Sequence, residues 1–194
     1  MKKLLVALFL CSCILCQAKD FYYEGMSFQY KHKVGKVRLY PHSISENGTD
    51  WIYLSMIKEP AKIVFAGFDP QTLQNEVLKS SSPVIISRVK NSKKTPEQFL
   101  ESFIEKTMEE SFNLPKKQQI KSVSDIYDGM VGDMTCKFVD VEKPKGARIR
   151  QYCFKKNNDL FVITISWTDV KKLKKLEGII EELQVINTFD FVPE

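Results

Sequence analysis

Residues 130–167 read MVGDMTCKFVDVEKPKGARIRQYCFKKNNDLFVITISW, and this stretch decides the fold. Three runs, 130–141, 147–155 and 160–167, are rich in β-branched and aromatic residues. Lys143-Pro144-Lys145-Gly146 and Asn157-Asn158-Asp159 separate them. Such runs between turn signals read as strands, and connections this short join antiparallel neighbours. The stretch predicts a three-strand antiparallel meander.

Cys136 and Cys153 lie within this meander. If Glu142 stands opposite Ala147 across the first turn, Cys136 falls opposite Cys153. Opposed residues have Cβ atoms about 4.5–5.5 Å apart, within adjustable reach of a bridge. Closing a loop of this size contributes roughly 3 kcal/mol in the chain-entropy model. A Cys136–Cys153 disulfide is therefore expected; the alternative is two free thiols packed as small hydrophobes. A catalytic thiol has little support. His32 and His42 are distant in sequence, which leaves Arg148, Arg150 and nearby lysines to lower a thiol pKa.

Upstream of the meander, Thr95 can cap a helix, Pro96 suits its first position and Gln98 completes a capping box. Phe99, Leu100, Phe103, Ile104, Met108 and Phe112 recur at helical spacing, with Glu101, Glu105, Glu109 and Glu110 opposite. That apolar stripe is expected to pack on the sheet. Downstream, Thr168 or Asp169 can cap a second helix whose buried face is Val170, Leu173, Leu176, Ile180 and Leu183. Its other face carries Lys171, Lys172, Lys174 and Lys175 near the helix N-terminus, where the dipole disfavours each by roughly tenths of a kcal/mol. That local cost suggests a basic patch for an acidic partner or anionic headgroups; a solvated helix face is the plainer reading.

Towards the N-terminus, strands are expected at 21–30, 35–40 (stopping at Pro41), 51–57, 61–68 and 83–90, with a polar turn at 45–49. Residues 69–79 suit a short helix or a turn, 115–121 a loop or sheet edge, and 188–192 a last strand or tail. Strand runs alternating with single helices make an α+β fold with an antiparallel sheet. No repeat, low-complexity tract or domain boundary is visible, so residues 19–194 are expected to form a single α+β domain.

The first eighteen residues set the compartment. Lys2 and Lys3 precede an apolar run from Leu4 to Leu15, and Cys16-Gln17-Ala18 follows. This is the charged, apolar and small-residue order of a secretory signal, and the run falls short of the roughly 20 residues that span a bilayer. Residues 1–18 are expected to be a signal peptide, leaving the remainder periplasmic or extracellular. Ser12-Cys13, with Leu10 upstream, also fits a lipoprotein signal, although Ile14 and Leu15 follow where a polar tether belongs. Cys16 is preceded by the larger Leu15. Free secretion and a lipid anchor both stand as readings, and contact with a membrane is expected only through a lipid or a partner.

Composition narrows the function classes. Apolar residues make up 43% and charged residues 27%, ordinary for a soluble globular protein. The formal charge is +5, and loss of Lys2 and Lys3 lowers it to +3, too little for a nucleic-acid surface.

The order of elements resembles the PsbP-like and DcrB-like family of exported α+β domains. The resemblance rests on the helix at 95–112 after a strand at 84–90, Tyr127-Asp128-Gly129 entering the meander, the hairpin at 152–164, and the closing helix followed by Ile186-Asn187-Thr188-Phe189. It implies an αβα sandwich, export, often a lipid anchor, and a binding or assembly role.

The search for chemistry yields little. His32 and His42 flank a predicted turn with no obvious carboxylate beside them, so no metal site is expected. Neither a Gly-x-Ser-x-Gly elbow nor a phosphate-cradling glycine loop is present. Asp125, Asp128 and Asp133 flank Gly129 and Gly132 without EF-hand spacing and read as turn formers. Asn47-Gly48-Thr49 is a glycosylation sequon in a eukaryotic setting and a turn otherwise. The leading expectation is a non-enzymatic envelope protein, without cofactor, that binds or stabilises a protein partner. Lys171 to Lys175 or the aromatic edge Phe21-Tyr22-Tyr23 would supply the contact. The alternatives are a small-ligand or lipid carrier, its cavity lined by Phe99, Phe103, Phe112 and Trp167, and a hydrolase. A cavity of at least about 300 Å³ separates the carrier from the partner binder.

Overall fold

A computed structural model describes residues 19–23, 26–30, 33–34, 37–46, 49–56, 76, 78–182 and 184–188. The expected signal peptide with Cys11, Cys13 and Cys16, the expected strand at 61–68, His32, Asn47-Gly48, Leu183 and residues 189–192 lie outside them.

The strands are β1 (Lys19–Tyr23), β2 (Met26–Tyr30), β3 (Lys33–Val34), β4 (Val37–Arg38), β5 (Tyr40–Glu46), β6 (Thr49–Ser55), β7 (Val84–Val89), β8 (Ser122–Val123), β9 (Tyr127–Val131), β10 (Met134–Glu142), β11 (Arg148–Lys156), β12 (Asp159–Trp167) and β13 (Gln184–Thr188). Helix α1 is Pro96–Phe112 and helix α2 is Val170–Glu182. An eight-stranded antiparallel sheet runs β5-β6-β7-β12-β11-β10-β8, with β9 also paired to β10. A three-stranded sheet, β1-β2-β13, and the small β3-β4 hairpin complete the described strands. The α+β class is as expected.

Period-two alternation explains why both faces of the sheet are covered. On β12, Phe161, Ile163, Ile165 and Trp167 join one core, and Leu160 and Val162 the other. Helix α2 closes the first with Leu176, Ile179 and Ile180. Helix α1 closes the second with Leu100, fully buried beside Val139 and Cys153. Burying one such leucine contributes about 1.5–3 kcal/mol. The Thr95–Gln98 capping box forms in both directions, with Gln98 N–H donating to Thr95 Oγ1 at 3.2 Å and Thr95 N–H to Gln98 Oε1 at 3.0 Å.

The disulfide expectation is corrected. Strands β10 and β11 pair with Glu142 opposite Arg148, one residue beyond the expected register, so Cys153 faces Lys137. A one-residue slip turns every side chain to the other face. Cys136 consequently packs in the α2-side core and Cys153 in the α1-side core, both as buried free thiols. Burial raises the Cys136 pKa to about 11 and the Cys153 pKa to about 12.

Other boundaries differ for local reasons. Residues 130–141 turn at Gly132-Asp133, with Gly132 at φ 55°, so the meander begins one strand earlier, at β9. Residues 21–30 form the hairpin β1–β2, not one strand, and 35–40 divides between β4 and the start of β5. Strand β5 passes through Pro41, which an edge strand tolerates because its missing N–H can face away from the ladder. Glu46 pairs with Thr49, so the strands reach further into the expected turn at 45–49. Val170 is 63% exposed and Phe112 75% exposed, which removes both from the expected buried stripes.

Candidate functional site

Three hollows lie at the end of the sandwich near the β10–β11 turn. Helix α1 stops at Phe112, and the chain doubles back because buried Ser111 Oγ accepts a hydrogen bond from Ile120 N–H at 2.7 Å. Lys121 N–H then donates to the Glu142 carbonyl at 2.9 Å, which starts β8 beside β10. A cleft of about 310 Å³ remains between α1, this returning loop and the sheet. Phe103, Leu114, Ile120, Val141 and Ile149 supply its apolar wall. Thr107, Gln118 and Lys143 give it a polar edge, as does Glu110, which pairs with Lys106 at 3.8 Å.

The turn itself is basic. Lys145 at φ 62° and Gly146 at φ 76° reverse the chain, and Lys143 N–H closes the loop on the Ala147 carbonyl at 2.7 Å. A second hollow of about 240 Å³ adjoins the cleft and is lined by Lys143, Arg148, Lys172, Ser166, Trp167 and Thr168. Arg148 and Lys121 share Glu142, at 3.2 and 3.5 Å. Asp169 caps α2 by accepting from Lys172 N–H at 2.8 Å. Among the described residues, no ion pair engages Lys116, Lys117, Lys143, Lys145, Lys171 or Lys172.

Arg150 pins α2 onto the sheet beside this end. Its Nε and Nη2 donate to the two Asp140 oxygens at 2.6 and 2.8 Å, and Nη1 donates to Glu177 of α2 at 2.7 Å. The guanidinium sits 4.6 Å over the Phe138 ring and 5.8 Å from the rings of Tyr152 and Trp167. Hydrogen bonding to Asp140 raises an already high Arg150 pKa, and burial raises that of Tyr152. The planar fork meets a carboxylate and aromatic faces together, which lysine could not do. At the other end of the sheet Arg88 and Asp50 form a pair with side chains 0% and 1% exposed, joined at 2.6 Å.

The expected site residues separate. Of Phe99, Phe103, Phe112 and Trp167, only Phe103 lines the cleft. Phe99 packs in the α1-side core, Trp167 belongs to the α2 side and Phe112 faces solvent. Of the basic face, Lys171, Lys174 and Lys175 are exposed, whereas Lys172 is half-buried in the second hollow. Asp128 pairs with Lys137 at 2.8 Å, Asp133 sits in the β9–β10 turn and Asp125 is exposed. Among the described residues, no three His, Cys, Asp or Glu side chains converge at metal-binding distance. None of the described helices is long and apolar enough to cross a membrane. Ile149 was not named from the sequence, Lys143 only as part of the Lys-Pro-Lys-Gly turn, and Arg148 only as a cation near the thiols.

No protein-family model and no curated protein matches this chain. Among solved structures, a protein from Bacteroides thetaiotaomicron is similar at 10% identity and a TM-score of 0.40 over 87% of this chain. The chain spans about half that structure, 48% of its length. LpqN of Mycobacterium tuberculosis, a protein involved in cell envelope biogenesis, is similar at 14% identity and a TM-score of 0.30, over 84% of this chain and 92% of LpqN. Likenesses this distant carry no functional argument. The PsbP-like and DcrB-like resemblance rests on element order.

Proposed function

We propose that this chain is an exported, non-catalytic binding protein whose ligand is a small single-chain amphiphile, held in the cleft beneath α1. One observation carries the reading: a largely apolar cleft of about 310 Å³ has a lysine, Lys143, at its edge. It meets the lower bound of about 300 Å³ for ligand pockets. Export is supported by the Lys2-to-Ala18 stretch, and a PsbP-like or DcrB-like binding role agrees with it. Both described thiols are buried and held protonated, so neither offers a thiolate at neutral pH. The carrier reading thus displaces the protein-partner reading as the first choice, because the helix–sheet layer holds a hollow.

Burial of about six methylenes at about 0.8 kcal/mol each gives a gross gain of about 5 kcal/mol, hence affinity near the millimolar range once ordering costs are met. Octanoate titrated into labelled protein is expected to shift the resonances of Phe103, Val141 and Ile149 saturably. Octylamine, without the charge that matches Lys143, is expected to bind more weakly. Thr107→Phe fills the cleft and abolishes the shifts while the melting temperature holds. Absence of saturable shifts at 10 mM octanoate, or their survival in Thr107→Phe, refutes the reading.

A further inference from the structure

We infer that the β10–β11 end of the sandwich is a docking face for an anionic phospholipid bilayer. Charge carries the first half of the argument. Lys116, Lys117, Lys143, Lys145, Lys171 and Lys172 come from three separate segments, and the fold brings them to one end. Leu114, Gln118, Lys143 and Pro144 line one cleft, which sets the loop after α1 beside the turn. Lys143 and Lys172 line one hollow, which sets the turn beside the start of α2. Several lysines at the far end are engaged locally, as with Lys90 to Asp50 at 3.5 Å and Lys155 to the Ser92 carbonyl at 3.0 Å. The six at this end have no carboxylate partner within the described fold, and Glu142 is shared by Arg148 and Lys121.

Apolar exposure carries the second half. Phe112 is 75%, Val170 63% and Leu114 43% exposed. All three lie at this end: Phe112 and Leu114 where α1 stops, and Val170 beside Gly146 and Arg148 around a third, smaller hollow. Ser111 takes the buried position in the last turn of α1, so Phe112 beside it has no core to enter. Large apolar side chains ringed by unpaired lysines match the interface of a bilayer. These side chains enter the headgroup boundary while the ammonium groups meet phosphates. A run of acidic residues or a nucleic acid backbone would use the lysines but leave Phe112, Leu114 and Val170 in water. The bilayer is favoured over both for that reason.

The test is flotation of the folded chain from residue 19 with phosphatidylcholine vesicles, and with vesicles carrying 30% phosphatidylglycerol. Binding is expected to the anionic vesicles only and to fall steeply between 0.1 and 0.5 M salt. Each juxtamembrane lysine contributes about 1 kcal/mol, so Lys143→Gln and Lys172→Gln each lower the partition coefficient about five-fold and together about 25-fold. Phe112→Ser lowers it at every salt concentration without moving the melting temperature, since Phe112 is 75% exposed. Lys93→Glu, exposed at the other end, leaves it unchanged. Equal binding to both vesicle types overturns the proposal, as does equal loss in Lys93→Glu. Retention on polyglutamate or RNA without vesicle binding overturns it in favour of a soluble polyanion. Thr107→Phe, which closes the cleft, leaves vesicle binding intact, so this face and the ligand cleft stand or fall separately.

Discussion

Gly129 offers a direct test of the β9–β10 register, which sets Gly129 opposite Cys136. A Cβ added there would stand 2.8 and 3.0 Å from Phe138 Cδ1 and Cε1, and 3.4 Å from Cys136 Sγ. The Phe138 ring has little room to move, with the Arg150 guanidinium 4.6 Å from its centroid and the rings of Tyr127 and Tyr152 at 5.6 and 5.7 Å. Overpacking of this kind costs about 1–3 kcal/mol. Replacing glycine by alanine in a strand returns about 0.5–1 kcal/mol of backbone entropy. Gly129→Ala should therefore lose up to about 2.5 kcal/mol net and melt about 2–4 °C lower per kcal/mol in a chain of this size. Urea unfolding followed by circular dichroism measures the loss, provided the m-value is unchanged. In a Phe138→Leu background the obstructing ring is gone, and the same substitution should become neutral or stabilising. Equal effects in both backgrounds refute the reasoning, because Gly129 would then not lie against Phe138 and the β9–β10 pairing would be misplaced.

Iodoacetamide should leave Cys136 and Cys153 unmodified in the folded protein and alkylate both in urea without any reductant, as read by peptide mapping. The thiol pKa values, raised from 9.0 to about 11 and 12, mean that the unfolded chain loses these protons first. Stability should therefore be intact below pH 9 and fall from about pH 9 to pH 11, by about 1.4 kcal/mol per pH unit for each thiol. Cys153→Val should flatten that slope. Asp50→Ala removes the 2.6 Å partner of buried Arg88, leaving Asp159 4.0 Å away, and should cost about 3–5 kcal/mol, much of it regained in Asp50→Ala/Arg88→Met. The same truncation at the exposed Glu76–Lys79 pair should cost under about 1 kcal/mol.

The meander, both helices and the α+β class were legible because each rests on local pattern. Alternation with bounded turns sets β11 and β12, and Thr95, Pro96 and Gln98 announce α1 three residues at a time. The candidate site was less legible. Phe103 was named for the cavity, but Lys143 and Ile149 were invisible as its lining. Nothing in their neighbourhood along the chain says that Ser111 will draw Ile120 back beneath the helix end. Lys171 to Lys175 were seen as one helix face. The grouping that the fold makes is different: Lys172 joins Lys143 and Arg148, from a turn nearly thirty residues earlier.

The amino-acid sequence by itself determined the element types, the antiparallel sheet and the two apolar helix faces, since hydrophobic period and capping act over a few residues. Tertiary structure decided the β10–β11 register, and with it the fate of the cysteines. The turn holds its odd residue through left-handed backbone at Lys145 and Gly146, a choice of one position that alternation alone does not make. It also decided that Ser111 takes the buried place in the last turn of α1, which leaves Phe112 in solvent beside unpaired lysines from three segments. Burial depends on what a helix meets across the layer, and that is a property of the assembled fold.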